Sequence, residues 1–285
     1  MEIKSKKIQQ AINILSEFLH GKEESIKLTF LAFFSKGHLL IEDLPGLGKT
    51  TLAIGIAKIL GLDFGRIQCT SDLLPSDITG VKIFNKNTQQ FEFHKGPIFN
   101  NVVLVDEINR ATPKTQSALL EAMGEKQVTI EGETYKLPQP FFVIATQNPL
   151  EQFGTFPLPE AQMDRFLMKI SLGYPSREAE KEIIKGGSKR EKLYKLSPLF
   201  TEDEILEIQN DIEKLFINDK VVDYILDIVN ATRNHKIIAA GVSIRGTLAI
   251  TKTAKANAYF KGRDFVIPED IKELVLYTIP HRIVL

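Results

Sequence analysis

Glu42-Asp43-Leu44-Pro45-Gly46-Leu47-Gly48-Lys49-Thr50-Thr51 follows directly on the apolar run Leu39-Leu40-Ile41. A strand that runs into a Pro/Gly turn and then into Gly-Lys-Thr at the head of a helix builds a phosphate cradle. Gly46 and Gly48 let the backbone curl so that successive N–H groups face one point, and the helix adds its positive N-terminal end. In such a turn Lys49 reaches the terminal phosphates and the Thr50 hydroxyl can ligate Mg²⁺. Pro45, Leu47 and Thr51 complete the predicted binding loop. The strict pattern G-x-x-x-x-G-K-[ST] calls for glycine at position 43, where this chain has aspartate. That position opens the turn, and aspartate is expected to be tolerated there because it adopts unusual φ/ψ values more readily than most residues.

Further along, Val102-Val103-Leu104-Val105-Asp106-Glu107 reads as a strand buried on both faces that ends in two acids. Open α/β sheets bind ligands at the C-terminal ends of their strands. In a P-loop ATPase the first acid, here Asp106, holds the Mg²⁺ hydration shell. The second, here Glu107, polarises a water for attack on the γ-phosphorus. A phosphate turn and an acidic strand end within one parallel-sheet pattern point to a nucleotide hydrolase with ATP and Mg²⁺ as cofactors.

The remaining periodicity supplies the frame. Helical spacing covers residues 6–19, 26–34, 52–60 and 115–125, and short strands are predicted at 38–41, 66–70, 141–145 and 166–172. Two polar-turned hairpins are expected as insertions, near 74–98 and 127–138. Beyond Gly173-Tyr174-Pro175 the pattern is helical only, with helices predicted over 176–187, 202–216, 219–234, 243–261 and 268–278. Thr201-Glu202-Asp203-Glu204 forms a capping box, and Pro268 suits a first helical turn. The predicted architecture is therefore α/β: a three-layer αβα P-loop domain with a parallel sheet over 1–172, followed by an all-helical lid over 176–285.

Composition narrows the function classes. Lys+Arg and Asp+Glu balance at 36 each over 285 residues, so no global charge favours nucleic acid or an anionic membrane. The single cysteine, Cys69, excludes an internal disulfide framework and any multi-cysteine zinc site, and it suits a reducing compartment. The charged start Met1-Glu2-Ile3-Lys4-Ser5-Lys6-Lys7 lacks the apolar core of a signal peptide, and no apolar run is long enough to span a bilayer. A cytoplasmic location is expected.

Pro45-Gly46-Leu47-Gly48-Lys49-Thr50, Asp106-Glu107-Ile108-Asn109-Arg110-Ala111 and Ala145-Thr146-Gln147-Asn148-Pro149 together resemble an AAA+ ATPase. More narrowly, Asp72-Leu73-Leu74-Pro75-Ser76-Asp77, Glu151-Gln152-Phe153-Gly154-Thr155 and Leu158-Pro159-Glu160-Ala161-Gln162-Met163-Asp164-Arg165-Phe166 resemble the MoxR family, and the likeness spans about residues 8–285. The resemblance implies further roles. Asn148 matches sensor 1, which orients the attacking water between the two acids. Arg165 matches the arginine finger offered to the neighbouring subunit's γ-phosphate, and Arg245, in Ser243-Ile244-Arg245-Gly246, matches sensor 2 on the lid. His20 and Gly21 fall where the family lines the adenine base. The family works as ring homo-oligomers, hexamers in the main, that remodel or mature protein clients, often ones with von Willebrand factor A domains. The ATPase subunit of a metal chelatase and a nucleic-acid-associated AAA+ motor share this core and stand as alternatives; the neutral charge and the lack of a basic-aromatic cluster on either hairpin count against nucleic acid.

Overall fold

A computed structural model describes residues 2–151, 153–186 and 190–285. Nine strands occur among them: β1 (Leu39–Glu42), β2 (Phe64–Gln68), β3 (Gly80–Asn85), β4 (Gln90–Lys95), β5 (Val102–Asp106), β6 (Gln127–Ile130), β7 (Glu133–Lys136), β8 (Phe142–Gln147) and β9 (Met168–Ile170). Five of them form one parallel sheet in the order β2-β5-β8-β1-β9. The phosphate turn leaves β1 and the acid pair ends β5, with β8 between them, so all three open at one edge of the sheet.

The alternation along β5 explains the layering. Val102 and Leu104 face a core shared with helices Glu2–Ser16, Glu23–Phe34 and Lys49–Leu60, while Val103 and Val105 face helix Pro113–Glu125. Both faces are covered, which is why the strand carries no polar alternation. The first of these cores runs on without a break into the helical region: Phe34 lies 5.1 Å from Phe33, 6.0 Å from Phe200 and 6.0 Å from Phe260 between ring centroids.

The helical region is built from Arg177–Gly186, Arg190–Leu193, Glu202–Lys214, Asp219–Arg233, Ile244–Phe260, Pro268–Lys272 and Val275–Thr278. The capping box forms as read: the Thr201 hydroxyl accepts the Glu204 N–H at 3.3 Å, and the Glu204 carboxylate accepts the Thr201 N–H at 2.9 Å. Some boundaries differ from the sequence reading. The predicted helix over 268–278 is two short helices with a turn at 273–274, and two isolated β-bridges, Phe216 to Phe265 and Ala240 to Val284, join the helices. The first inserted hairpin (β3–β4) is preceded by a short helix, Pro75–Thr79, and the second is β6–β7. Residue 187 of the predicted 176–187 helix, and Gln152 of the Glu151 to Thr155 motif, lie outside the described residues. The last strand stops at Ile170 rather than 172, because the backbone groups of Leu172 and Gly173 are bonded by side chains instead of by β1.

Candidate nucleotide-binding site

Gly46 and Gly48 both have positive φ, +85° and +94°, where a side chain would be strained. Gly48 has a second reason to be glycine, since a Cβ there would come 3.1 Å from the Leu19 Cδ2. Helix Lys49–Leu60 starts directly behind it, with Gly48 as its N-cap and no side chain capping its first turn. A cavity of about 310 Å³ opens there. Pro45, Gly46, Gly48, Lys49, Thr50 and Thr51 line it from the turn, and Arg66, Gln68, Asp106, Glu107 and Thr146 line it from the strand ends. The predicted loop residue Leu47 is half-buried and does not line the cavity.

Inside the cavity every charged group is already engaged. The Lys49 ammonium donates to the carbonyls of Asp43 at 2.8 Å and Leu44 at 3.1 Å. Burial lowers its pKa, opposed by the nearby carboxylates of Asp43, Asp106 and Glu107. Asp106 accepts a bond from the Arg66 Nε–H at 2.8 Å, forms an ion pair with Nη2 of the same guanidinium at 2.7 Å, and accepts from the Thr146 hydroxyl at 3.3 Å. Glu107 adopts a left-handed backbone conformation at φ +57°, and its N–H donates to the same Thr146 oxygen at 2.9 Å. Its carboxylate accepts from the Gln68 amide at 3.2 Å and from Arg110 at 3.5 Å.

Arg66 and Gln68 were not picked out from sequence. Their signal is the period-2 pattern of β2, which puts both on the exposed face, combined with the register that sets Gln68 opposite Asp106. Thr146 is likewise the β8 residue that contacts both acids, although the neighbouring Asn148 was the residue expected between them.

The donors fit a Mg²⁺ that draws most of its shell from phosphate and water. Thr50 and Asp106 offer oxygen ligands in the same cavity. Among the described residues no group of three or more His, Cys, Asp or Glu stands ready to hold a metal.

The other predicted residues lie outside this cavity. Asn148 turns its amide oxygen to the Leu150 N–H at 3.1 Å and lines an adjoining cavity with Asn109 and Glu151. Arg165 donates to the Leu120 carbonyl at 3.1 Å, lying over Gly124 at the end of helix Pro113–Glu125. Arg245 sits in the first turn of helix Ile244–Phe260, more than half exposed, 3.9 Å from Asp164. Asp164 is a junction missed by the sequence reading: it accepts from the buried Arg282 at 2.8 Å and from the Ser243 hydroxyl at 2.8 Å. His20 and Gly21 form a turn beside Leu19, whose side chain packs on Gly48; Gly21 has φ +70° and faces Ala179.

Asp43 corrects the expectation drawn for it. Its φ is not positive, so backbone tolerance is not what the position requires. The side chain is buried and its carboxylate accepts the N–H groups of Leu172 and Gly173.

A parallel sheet with this strand order, a phosphate turn behind β1, an acid pair behind β5 and a following helical bundle define an AAA-type ATPase core with its lid. In agreement, residues 38–168 match the family described as ATPase family associated with various cellular activities (AAA), and residues 230–284 match the AAA lid domain. The chain is 40% identical to the protein named Chaperone MoxR1 of Mycobacterium tuberculosis (strain ATCC 25618 / H37Rv), over 98% of this chain and 76% of that one. It is 47% identical to the uncharacterized protein YeaC of Bacillus subtilis (strain 168), over 97% and 86% of the two chains. A crystal structure from Cytophaga hutchinsonii ATCC 33406, provisionally described as an ATPase, superposes with a TM-score of 0.91 at 44% identity, covering 98% of this chain and 88% of that one. The chain belongs to the MoxR family of AAA+ ATPases.

Proposed function

We propose that this protein is a Mg²⁺-dependent ATP hydrolase that acts as a ring of like subunits, a hexamer, to remodel or mature client proteins. One observation carries the reading: Lys49, Thr50, Asp106 and Glu107 line a single cavity at the head of a helix. In it the loop N–H groups and Lys49 bind the phosphates, and Thr50 and Asp106 hold the Mg²⁺, which when bound neutralises charge on the phosphate oxygens. Glu107 draws the proton from the attacking water, and Asn148 orients that water once the nucleotide is in place. Arg165 is offered to the γ-phosphate of the neighbouring subunit, and Arg245 ties the lid to the nucleotide. His20 and Gly21 flank the base.

The relative named Chaperone MoxR1 supports work on protein clients. Proteins with von Willebrand factor A domains are the clients the family relationship favours, and the cytoplasm is the location. No helix among the described residues is long and apolar enough to cross a membrane.

The test is ATP turnover per subunit as a function of protein concentration, with the oligomer followed by light scattering. Specific activity should collapse on dilution to monomer, and Glu107→Gln should bind ATP yet turn it over about 10²–10⁴-fold more slowly. Constant specific activity in monomer removes the ring, and full turnover in Glu107→Gln removes the proposed chemistry.

A further inference from the structure

Leu172 and Gly173 connect the last sheet strand to the helices that follow, and side chains grip their peptide groups from two sides. One oxygen of the Asp43 carboxylate accepts the Leu172 N–H and, at 3.0 Å, the Gly173 N–H. From the other side the Lys22 ammonium donates to the carbonyls of Leu172 at 2.8 Å and Gly173 at 2.7 Å. Asp43 is 8% exposed and Lys22 6%. Buried charges are costly unless their hydrogen-bonding capacity is met, and here both are spent on the same two residues. Gly173 has φ +64° with open space around its missing Cβ, so the chain turns sharply where it is held.

The two gripping residues also belong to the phosphate turn and its wall. Asp43 bonds the end of β8 through its N–H, 3.0 Å from the Gln147 carbonyl, and its own carbonyl accepts from Lys49. Lys22 directly follows the 19–21 turn, whose Leu19 packs on Gly48. A phosphate in the cradle draws the Lys49 ammonium toward itself and away from the carbonyls of residues 43 and 44. The residue that then loses a backbone partner is the one whose side chain holds the connection to the lid.

We propose that Asp43, opposed by Lys22, is a positioning residue that couples occupancy of the phosphate turn to the setting of the helical lid. Aspartate at 43 in place of the consensus glycine is therefore the device itself, and restoring the glycine uncouples the two. This rests on the reading of the turn as a nucleotide site.

The experiment is amide hydrogen exchange across residues 170–182, in the full chain, without nucleotide and with saturating Mg²⁺-ADP, alongside direct measurement of ADP binding. Without nucleotide, Asp43→Gly should exchange Leu172 and Gly173 about tenfold to a hundredfold faster than the parent, the size expected for losing bonds to a charged acceptor. Asp43→Asn, which keeps an acceptor oxygen, should fall between, and Lys22→Met should loosen the same residues while keeping the apolar stem. At ADP concentrations that the direct measurement shows to saturate each chain, ADP should change exchange in the segment in the parent and leave it unchanged in Asp43→Gly. Parent-like exchange in Asp43→Gly overturns the clamp. Faster exchange with an intact response to ADP overturns the coupling. A parent chain that binds no ADP overturns the reading of the site and with it the coupling, while the nucleotide-free arm still decides the clamp. If Asp43→Gly does not fold, Asp43→Asn and Lys22→Met decide by the same criteria.

Discussion

The strand-end half of the site and the arginine half are in different states. Lys49, Thr50, Asp106, Glu107 and Thr146 already share one cavity. Arg165 and Arg245 are parked elsewhere, on a helix carbonyl and beside Asp164. The first group is fixed by sheet register and by the loop glycines, all of which a single chain supplies. The second is carried on a loop and on the lid, where Arg165 bonds one helix carbonyl and Arg245 lies 3.9 Å from one carboxylate. In a ring ATPase these are the parts that a neighbouring subunit and a lid movement bring in, so their separation in the isolated chain agrees with the proposed function.

The largest effect that would break this division comes from Arg165. If it completes a neighbour's site, Arg165→Ala lowers kcat by about 10³–10⁵-fold. Mixing it with the Glu107→Gln chain then restores turnover, since some sites receive an intact glutamate and an intact neighbouring arginine. Near-parental activity of Arg165→Ala would leave the residue as a strut on helix Pro113–Glu125.

The next effect is on stability. Arg282 is almost wholly buried against Asp164, whereas Arg245 is exposed at 3.9 Å from the same carboxylate. Removing one member of a buried pair leaves a charge unpaired, so Arg282→Met should cost about 3–5 kcal/mol in urea unfolding. Arg245→Met should cost under about 1 kcal/mol, as exposed pairs do, while impairing turnover. Equal losses of stability would mean that Arg245 is a structural tie rather than a mobile arm.

A smaller effect distinguishes the rigid half by pH. His38 precedes β1 and is fully buried; its Nδ1 accepts the Val143 N–H at 3.0 Å and its Nε2–H donates to the Met123 carbonyl, so it is held neutral. Burial pushes its pKa down from 6.5 to about 4. The unfolded chain binds this proton below pH 6.5 and the folded chain only near 4, so stability is full above pH 6.5 and is lost as pH falls toward 4. The loss is at most about 3 kcal/mol, and His38→Gln should flatten that part of the urea midpoint's pH dependence. His281, pushed down to about 3, adds a slope of the same sign that the substitution leaves in place.

How much of this was legible follows the same line. The phosphate turn and the acid pair are contiguous in sequence and their chemistry demands particular residue types, so the residues themselves announced them. Arg66, Gln68 and Thr146 reach the same acids through parallel register, which one chain's sequence does not display. Asp43 looked like a defect because its partners, Leu172 and Gly173, are about 130 positions away and are bonded through their backbone, which has no sequence signature. Asp164 was hidden in the same way, behind an arginine close to the end of the described chain.

The smallest predicted effect sharpens where the two halves meet, on β8. The Thr146 hydroxyl joins Asp106 to the Glu107 N–H, whereas Asn148, two residues on, is turned to its own loop. Thr146→Val keeps the shape of the side chain and leaves that N–H without its acceptor, and about a tenfold fall in kcat is expected. Asn148→Ala removes a group that reaches the reacting water only after loading. The two losses should therefore add, with a coupling below about 0.5 kcal/mol in a double-mutant cycle on kcat. A larger coupling would show that the two side chains act on the acids as one unit, and it would move Asn148 into the half of the site that the free chain already assembles.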